Sequence, residues 1–218
     1  MGFQNEAFSN RERLLLDTAL ALFRERGWEQ VTVAQVAARA GVAKGTVYKH
    51  FTSKESIYAR LALEFSASCL VRYKAVSGAA SPLATMRTII RLAFDLMHAH
   101  PTEVQLWLHC ERPEFQHRLS EAERAEFHHL DEQYQALFHQ LLDEAVSFGE
   151  MSRKPTGILY WGVDTIFMGV MARIAANGVG GRHEPMDPQQ YFDHVADFIL
   201  AGMLGAPSVA ADANRENL

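Results

Sequence analysis

Apolar residues recur at steps of three and four along almost the whole chain, and no stretch alternates with period two. This spacing places apolar side chains on one face of an α-helix, so the protein is expected to be all-α. The first predicted helix spans residues 9–26, with Leu15, Ala19, Leu22 and Phe23 as its buried stripe. Ser9 and Glu12 match a capping box at its start, and Gly27 a stop at its end. Thr32 with Gln35 opens a second helix through Ala40, and Gly41 supplies a left-handed turn. A third helix is expected from Ala43 to His50, followed by Ser53 as the cap of a fourth from Lys54 to about Val76. Further helices are expected over 83–99, around Trp107, from Ser120 to Phe148, over 156–176 and over 188–205. Gly78 to Pro82, His100-Pro101, Pro113, Gly149 and Asn177-Gly178 punctuate them. Residues 206–218 are small and polar and are expected to be a disordered tail.

Composition adds little until it is divided. Across 218 residues the formal net charge is −5. Residues 1–60 hold nine Lys/Arg against six Asp/Glu, whereas the remainder holds twelve against twenty. Between Glu29 and Glu55 there is no acidic residue, while Arg39, Lys44, Lys49, His50 and Lys54 all fall there. A locally basic head on an acidic body suits contact with phosphates at one end of the protein. No uninterrupted apolar run reaches membrane-spanning length, and the N-terminus lacks a signal-peptide core. The expectation is a cytoplasmic protein with no membrane partner. Cys69 and Cys110 lie far apart in apolar surroundings and read as buried thiols.

Two short helices joined by a glycine turn define a helix-turn-helix, whose second helix can lie in the DNA major groove. The sequence AKGTVYKH over residues 43–50 fits that use. It buries little beyond Val47, and it offers Lys44, Thr46, Tyr48, Lys49 and His50 to phosphates or base edges. Gly45 permits close backbone approach. The starts of the second and fourth helices, at Thr32 and Lys54, present free N–H groups suited to phosphates. A capped helical hairpin on the surface of another fold carries the same pattern.

The run Val31-Thr32-Val33-x-x-Val36-Ala37-x-x-Ala40-Gly41-Val42-x-x-Gly45-Thr46-Val47-Tyr48-x-His50-Phe51-x-x-Lys54-Glu55-x-Ile57 resembles the DNA-binding domain of TetR-family transcriptional regulators. The preceding Ala19, Leu22-Phe23 and Gly27-Trp28 match it as well, so the resemblance covers about residues 10–60. It implies a helix-turn-helix domain over 1–53 and a helical ligand-binding and dimerisation domain over 54–205. It also implies a homodimer on a partly palindromic double-stranded DNA operator, with a small-molecule effector that changes the spacing of the two heads. Carried over by position, Thr32, Thr46, Tyr48, His50 and Lys54 match phosphate contacts. Ala43, Lys44, Gly45 and Lys49 match positions near base edges, with Lys44 able to meet either a guanine or a phosphate.

In the family the last two long helices pair with those of a second copy. Gly162, Thr165 and Gly169 form a small-residue stripe, and Phe192, Val195, Ile199 and Met203 an apolar seam, that suit such pairing. Candidates to line an effector pocket are Phe94, Met97, Trp107, Cys110, Tyr134, Phe138, Trp161, Asp164 and Met168, a set suited to a bulky apolar or aromatic effector. Asp164 is the one charge between Ile158 and Met171. It could meet a cationic ligand, pair with Arg87 or Arg91, or face a second copy. The histidines, with His128 beside Asp131 and Glu132, form no tight ligand cluster and read as a solvated face, so neither metal nor cofactor is expected. Without a phosphate-binding glycine loop, a nucleophile elbow or paired catalytic carboxylates, no enzyme is expected. The reading is a ligand-responsive transcriptional regulator, most simply a repressor. The alternative is a helix-turn-helix protein without transcriptional output, such as a nucleoid or division factor.

Overall fold

A computed structural model describes residues 2–179 and 186–205 of the chain. The tail expected over 206–218, and most of the loop after Gly178, lie outside the described residues. The protein is all-helical: no strand occurs among the described residues. The helices are α1 (Gly2–Arg26), α2 (Val33–Arg39), α3 (Lys44–His50), α4 (Lys54–Lys74) and α5 (Pro82–Ala99). They continue with α6 (Pro101–Cys110), α7 (Pro113–Gln116), α8 (Glu121–Ser147), α9 (Thr156–Ala175) and α10 (Pro188–Gly205).

Local chemistry explains most of the boundaries. Gly27, Gly41 and Gly149 adopt φ of +83°, +67° and +82°, a region where a β-carbon is strained, and each follows a helix end. Ser120 and Glu123 close a capping box at the start of α8, with Glu123 N–H donating to Ser120 Oγ at 3.2 Å and Ser120 N–H to Glu123 Oε2 at 2.8 Å. Asp187 accepts from the N–H groups of Gln189 and Gln190 ahead of α10. One boundary differs from expectation. α1 begins at Gly2, so Ser9 lies inside a helix and does not cap one. α6 ends at Cys110, near the expected stop at Pro113, and Pro113 also opens the short α7, where its missing N–H costs nothing.

The chain forms two compact units that do not divide at residue 53. The first takes the described residues up to Phe65 together with Thr102–Phe127. Its core holds Leu15, Leu16, Ala19, Phe23, Val36, Val47 and Ile57, each at most 3 % exposed. Arg24 of α1 pairs with the buried Glu103 of α6 within it. The second unit takes Ser66–Pro101 and the described residues from His128 onward. There α5 packs along α10, and both meet α9. Phe94, fully buried, lies against Phe167 and Phe192 with ring centroids 4.9 and 5.6 Å away. Arg87 and Arg91 of α5 pair with Asp193 and Asp197 of α10.

One helix keeps an apolar face uncovered. Thr156–Ala175 is long and apolar enough to cross a membrane by length and composition, yet only 22 % of its apolar window is buried. Ile158 and Trp161 on it are 60 % and 77 % exposed, and Phe198 on α10 is 69 % exposed.

Candidate nucleic-acid interface

The head is built by α1 to α3 and the start of α4. The turn after α1 leads into Thr32, whose Oγ1 accepts from Gln35 N–H at 3.3 Å while Gln35 Oε1 accepts from Thr32 N–H at 2.7 Å. This reciprocal cap starts α2, whose Val33, Val36 and Ala37 turn inward. At its end Val42 N–H donates to Ala37 C=O at 3.0 Å across the left-handed Gly41. α3 then leaves at a new angle, anchored by Val47, which is fully buried.

Around Val47 the side chains of α3 other than His50 look outward. Ala43, Lys44, Gly45, Tyr48 and Lys49 are exposed and Thr46 is half-buried. The Lys44 ammonium lies 5.7 Å from the centre of the Tyr48 ring one turn on, a cation–π pair on the outer face. Thr32 is exposed at the start of α2. Between them these accessible residues offer hydrogen-bond donors and cations, the chemistry needed to meet phosphate oxygens and base edges.

Three members of the basic stretch are not free cations on that surface. Arg39 makes a two-pronged bond to Glu25 at 2.8 and 3.1 Å. Lys54 donates to the carbonyl of Glu29 at 3.0 Å, and its ammonium lies 5.2 Å from the centre of the Tyr58 ring. Burial holds this amine below the ordinary lysine range. Tyr58 in turn donates to the carbonyl of Trp28 at 3.0 Å, so two α4 side chains grip the turn after α1. His50 is the third. Its side chain is 5 % exposed, in contrast to the expected outward donor, because Phe8 stacks on it with ring centroids 4.0 Å apart. Lys44 and Lys49 have no ion-pair partner among the described residues. Sequence pattern assigns no role in this head to Phe8 or Tyr58, and gives Trp28 only a place in the family resemblance. Phe8 carries a signal all the same, since it extends the stripe of Leu15 and Ala19 back by the helical period.

The residues expected to line a pocket are dispersed. Trp107 and Cys110 belong to the first unit, where Trp107 faces Phe127 at 5.6 Å and the Cys110 thiol is fully buried. In the second unit, Phe94 is core packing. Tyr134 Oη donates to Ser66 C=O at 2.7 Å and accepts from Ser66 Oγ at 3.1 Å, and Phe138 meets Tyr160 at 5.7 Å. Met97 and Met168 are half-buried. Trp161 is exposed, and Asp164 is exposed in part. Asp164 does not pair with Arg87 or Arg91, whose partners are on α10 or, for Asp95, on α5 itself. Burial and the nearby Asp131 raise its carboxyl above the usual range. The stripe Gly162, Thr165 and Gly169 is exposed, whereas Phe192, Ile199 and Met203 are 0, 2 and 3 % exposed. Those three side chains fill the chain's own core against α5 and α9. Val195 is half-buried. Of the histidines, His128 stands 3.4 Å from Glu132 on the open face of α8, and no three metal-ligating side chains converge among the described residues.

An all-helical chain whose head is a helix-turn-helix with an outward basic second helix has the architecture of a DNA-binding regulator. Residues 15–61 match the family described as bacterial regulatory proteins, tetR family. The transcriptional repressor KstR2 of Mycobacterium tuberculosis is 32 % identical over 100 residues, covering 45 % of this chain and 50 % of that protein. The chain thus spans about half the length of the curated relatives it matches. The structure of that ketosteroid transcriptional regulator has a TM-score of 0.58 at 23 % identity, covering 88 % and 94 % of the two chains. PfmR of Thermus thermophilus reaches 0.67 at 20 % identity over 87 % and 98 %. FadR of Bacillus subtilis, solved with stearoyl-CoA, reaches 0.65 at 18 % identity over 88 % and 97 %.

Proposed function

We propose that this chain is a ligand-responsive transcriptional repressor that binds a partly palindromic operator as a homodimer in the cytoplasm. One observation carries the reading: Lys44, Tyr48 and Lys49 stand exposed on α3, held there by Val47 and by the reciprocal cap at Thr32. Helix α3 enters the major groove. Its Lys44 and Lys49 meet base edges or phosphates, and Thr32, Thr46 and Tyr48 fix register on the backbone. Two heads then have to sit in successive major grooves, about 34–36 Å apart or a multiple of that. An effector releases the operator by binding better to an arrangement in which the heads are out of register.

The second copy covers α9. Ile158, Trp161 and Met168 with the small Gly162, Thr165 and Gly169 make an apolar stripe that helices can approach closely, continued by Phe198 on α10. This face accounts for an apolar helix that is mostly unburied within one chain, with no membrane partner required. The effector is a bulky apolar molecule of the acyl or steroid class. The reading is supported by aromatic and Met side chains in the second unit and by relatives named for ketosteroids and for fatty acid degradation, one in complex with stearoyl-CoA.

The test is selection of duplexes from a randomised pool by the full chain, followed by gel retardation with Lys44→Ala and Tyr48→Phe. Both variants are expected to weaken binding at unchanged melting temperature. Undiminished binding by both would overturn the assignment of the reading surface. Release of the selected duplex by long-chain acyl-CoA or a steroid ketone tests the effector class.

A further inference from the structure

His50 closes α3, directly after the exposed Tyr48 and Lys49, yet its imidazole is withdrawn from the surface. Phe8 stacks on one face of the ring at 4.0 Å with an interplanar angle of 31°. Glu12, one helical turn beyond Phe8, places Oε2 3.9 Å from Nδ1. Nδ1 itself is buried and makes no hydrogen bond. Nδ1 thus faces α1, and the side chain is only 5 % exposed.

The mechanical setting explains why such a contact matters. Helix α3 has seven residues, about two turns, too short to hold its shape by its own hydrogen bonds. Its tilt therefore depends on what anchors it. Val47 anchors the middle and Phe51 the exit. Between them the last turn, which carries Tyr48 and Lys49, leans on Phe8 and Glu12 through His50. Those two residues lie on the N-terminal part of α1, which starts seven residues ahead of Ser9.

We propose that Phe8 and Glu12 are positioning residues for operator recognition, acting through His50. This rests on the reading of the chain as an operator-binding regulator and assigns a role within that surface. In this arrangement the start of α1 sets the orientation of the reading helix. Phe8, half exposed and apolar, is kept at the surface for that contact.

The experiment titrates the full chain and its variants against a duplex selected by the wild type, at several salt concentrations. Phe8→Ala is expected to weaken binding roughly 3- to 10-fold, the scale of one aromatic pair, with the salt slope unchanged because no phosphate contact is lost. Phe8→Tyr, which keeps the stack, is expected to bind as wild type, and loss of binding in Phe8→Tyr at unchanged helix content and melting temperature would overturn the proposal. Lys44→Ala serves as the control, expected to weaken binding and to make the slope shallower by about one. If Lys44→Ala behaves so while Phe8→Ala binds as wild type, the positioning role fails and the operator reading stands. If Lys44→Ala has no effect, the reading itself fails and the proposal with it.

Discussion

The Lys54 ammonium donates to the carbonyl of Glu29 at 3.0 Å, tying the first turn of α4 to the turn that follows α1. The carbonyls at that turn have no helical partner, and a charged donor satisfies one of them. Lys54→Ala is therefore expected to lower thermal stability by about 1 kcal/mol, the scale of such a bond at a part-exposed site, besides weakening operator binding. Lys54→Met keeps the stem over Tyr58 and should recover part of the loss. Thermal melts of the three proteins check this.

Gly41 adopts φ +67°, and an added β-carbon would meet nothing within 4 Å. Its substitution cost is thus backbone strain alone. Gly41→Ala is expected to destabilise the chain by about 1 kcal/mol, and Gly41→Asn by less, because Asn tolerates the left-handed region. Chemical denaturation midpoints would rank wild type, Asn and Ala in that order.

His109 on α6 sits in an aromatic cage of Trp28, Phe115 and Tyr58, with ring centroids 4.5, 5.0 and 6.0 Å away. Burial, then Arg112 and Arg118, hold its imidazole below the ordinary 6.5, against the opposing pull of Glu29 and Glu55. The unfolded chain takes up this proton at higher pH than the folded one. The stabilising contribution is complete above about 6.5 and is lost as pH falls below it. Melting temperature is expected to drop less for His109→Phe than for wild type between pH 7.5 and 5.5. Parallel pH profiles for the two would refute the assignment.

Trp161 is 77 % exposed on the apolar face of α9. If that face meets a second copy, Trp161→Glu should weaken self-association roughly 30-fold or more, the scale of a central aromatic anchor. The fold of each chain should survive, since the side chain contributes little to its own core. Light scattering across a concentration series, with circular dichroism as control, reads both.

Local features are legible in the sequence. The caps at Thr32 and Ser120 need only partners three residues away, and Gly41 follows from the need for a left-handed residue between two helices. The apolar stripe of α1 and the inward Val47 follow from helical period. Lys54 reads as a surface cation, because the carbonyl it meets lies 25 residues earlier and carries no side-chain signature. The first unit's recruitment of Thr102–Phe127 is illegible for the same reason: no short-range pattern encodes which distant helix completes a core.

By itself the sequence determined an all-helical chain, the caps and turn that shape the reading head, and the exposed placement of Lys44 and Lys49. Tertiary structure alone decided which way ambiguous faces look. Helix α10 is apolar on both sides, and packing against α5 and α9 turned Phe192, Ile199 and Met203 inward while leaving Phe198 outside. It also decided that the His50 side chain is covered. Periodicity assigns residues to a face, but whether a polar face meets water depends on a ring more than forty residues away, and Phe8 supplies that ring.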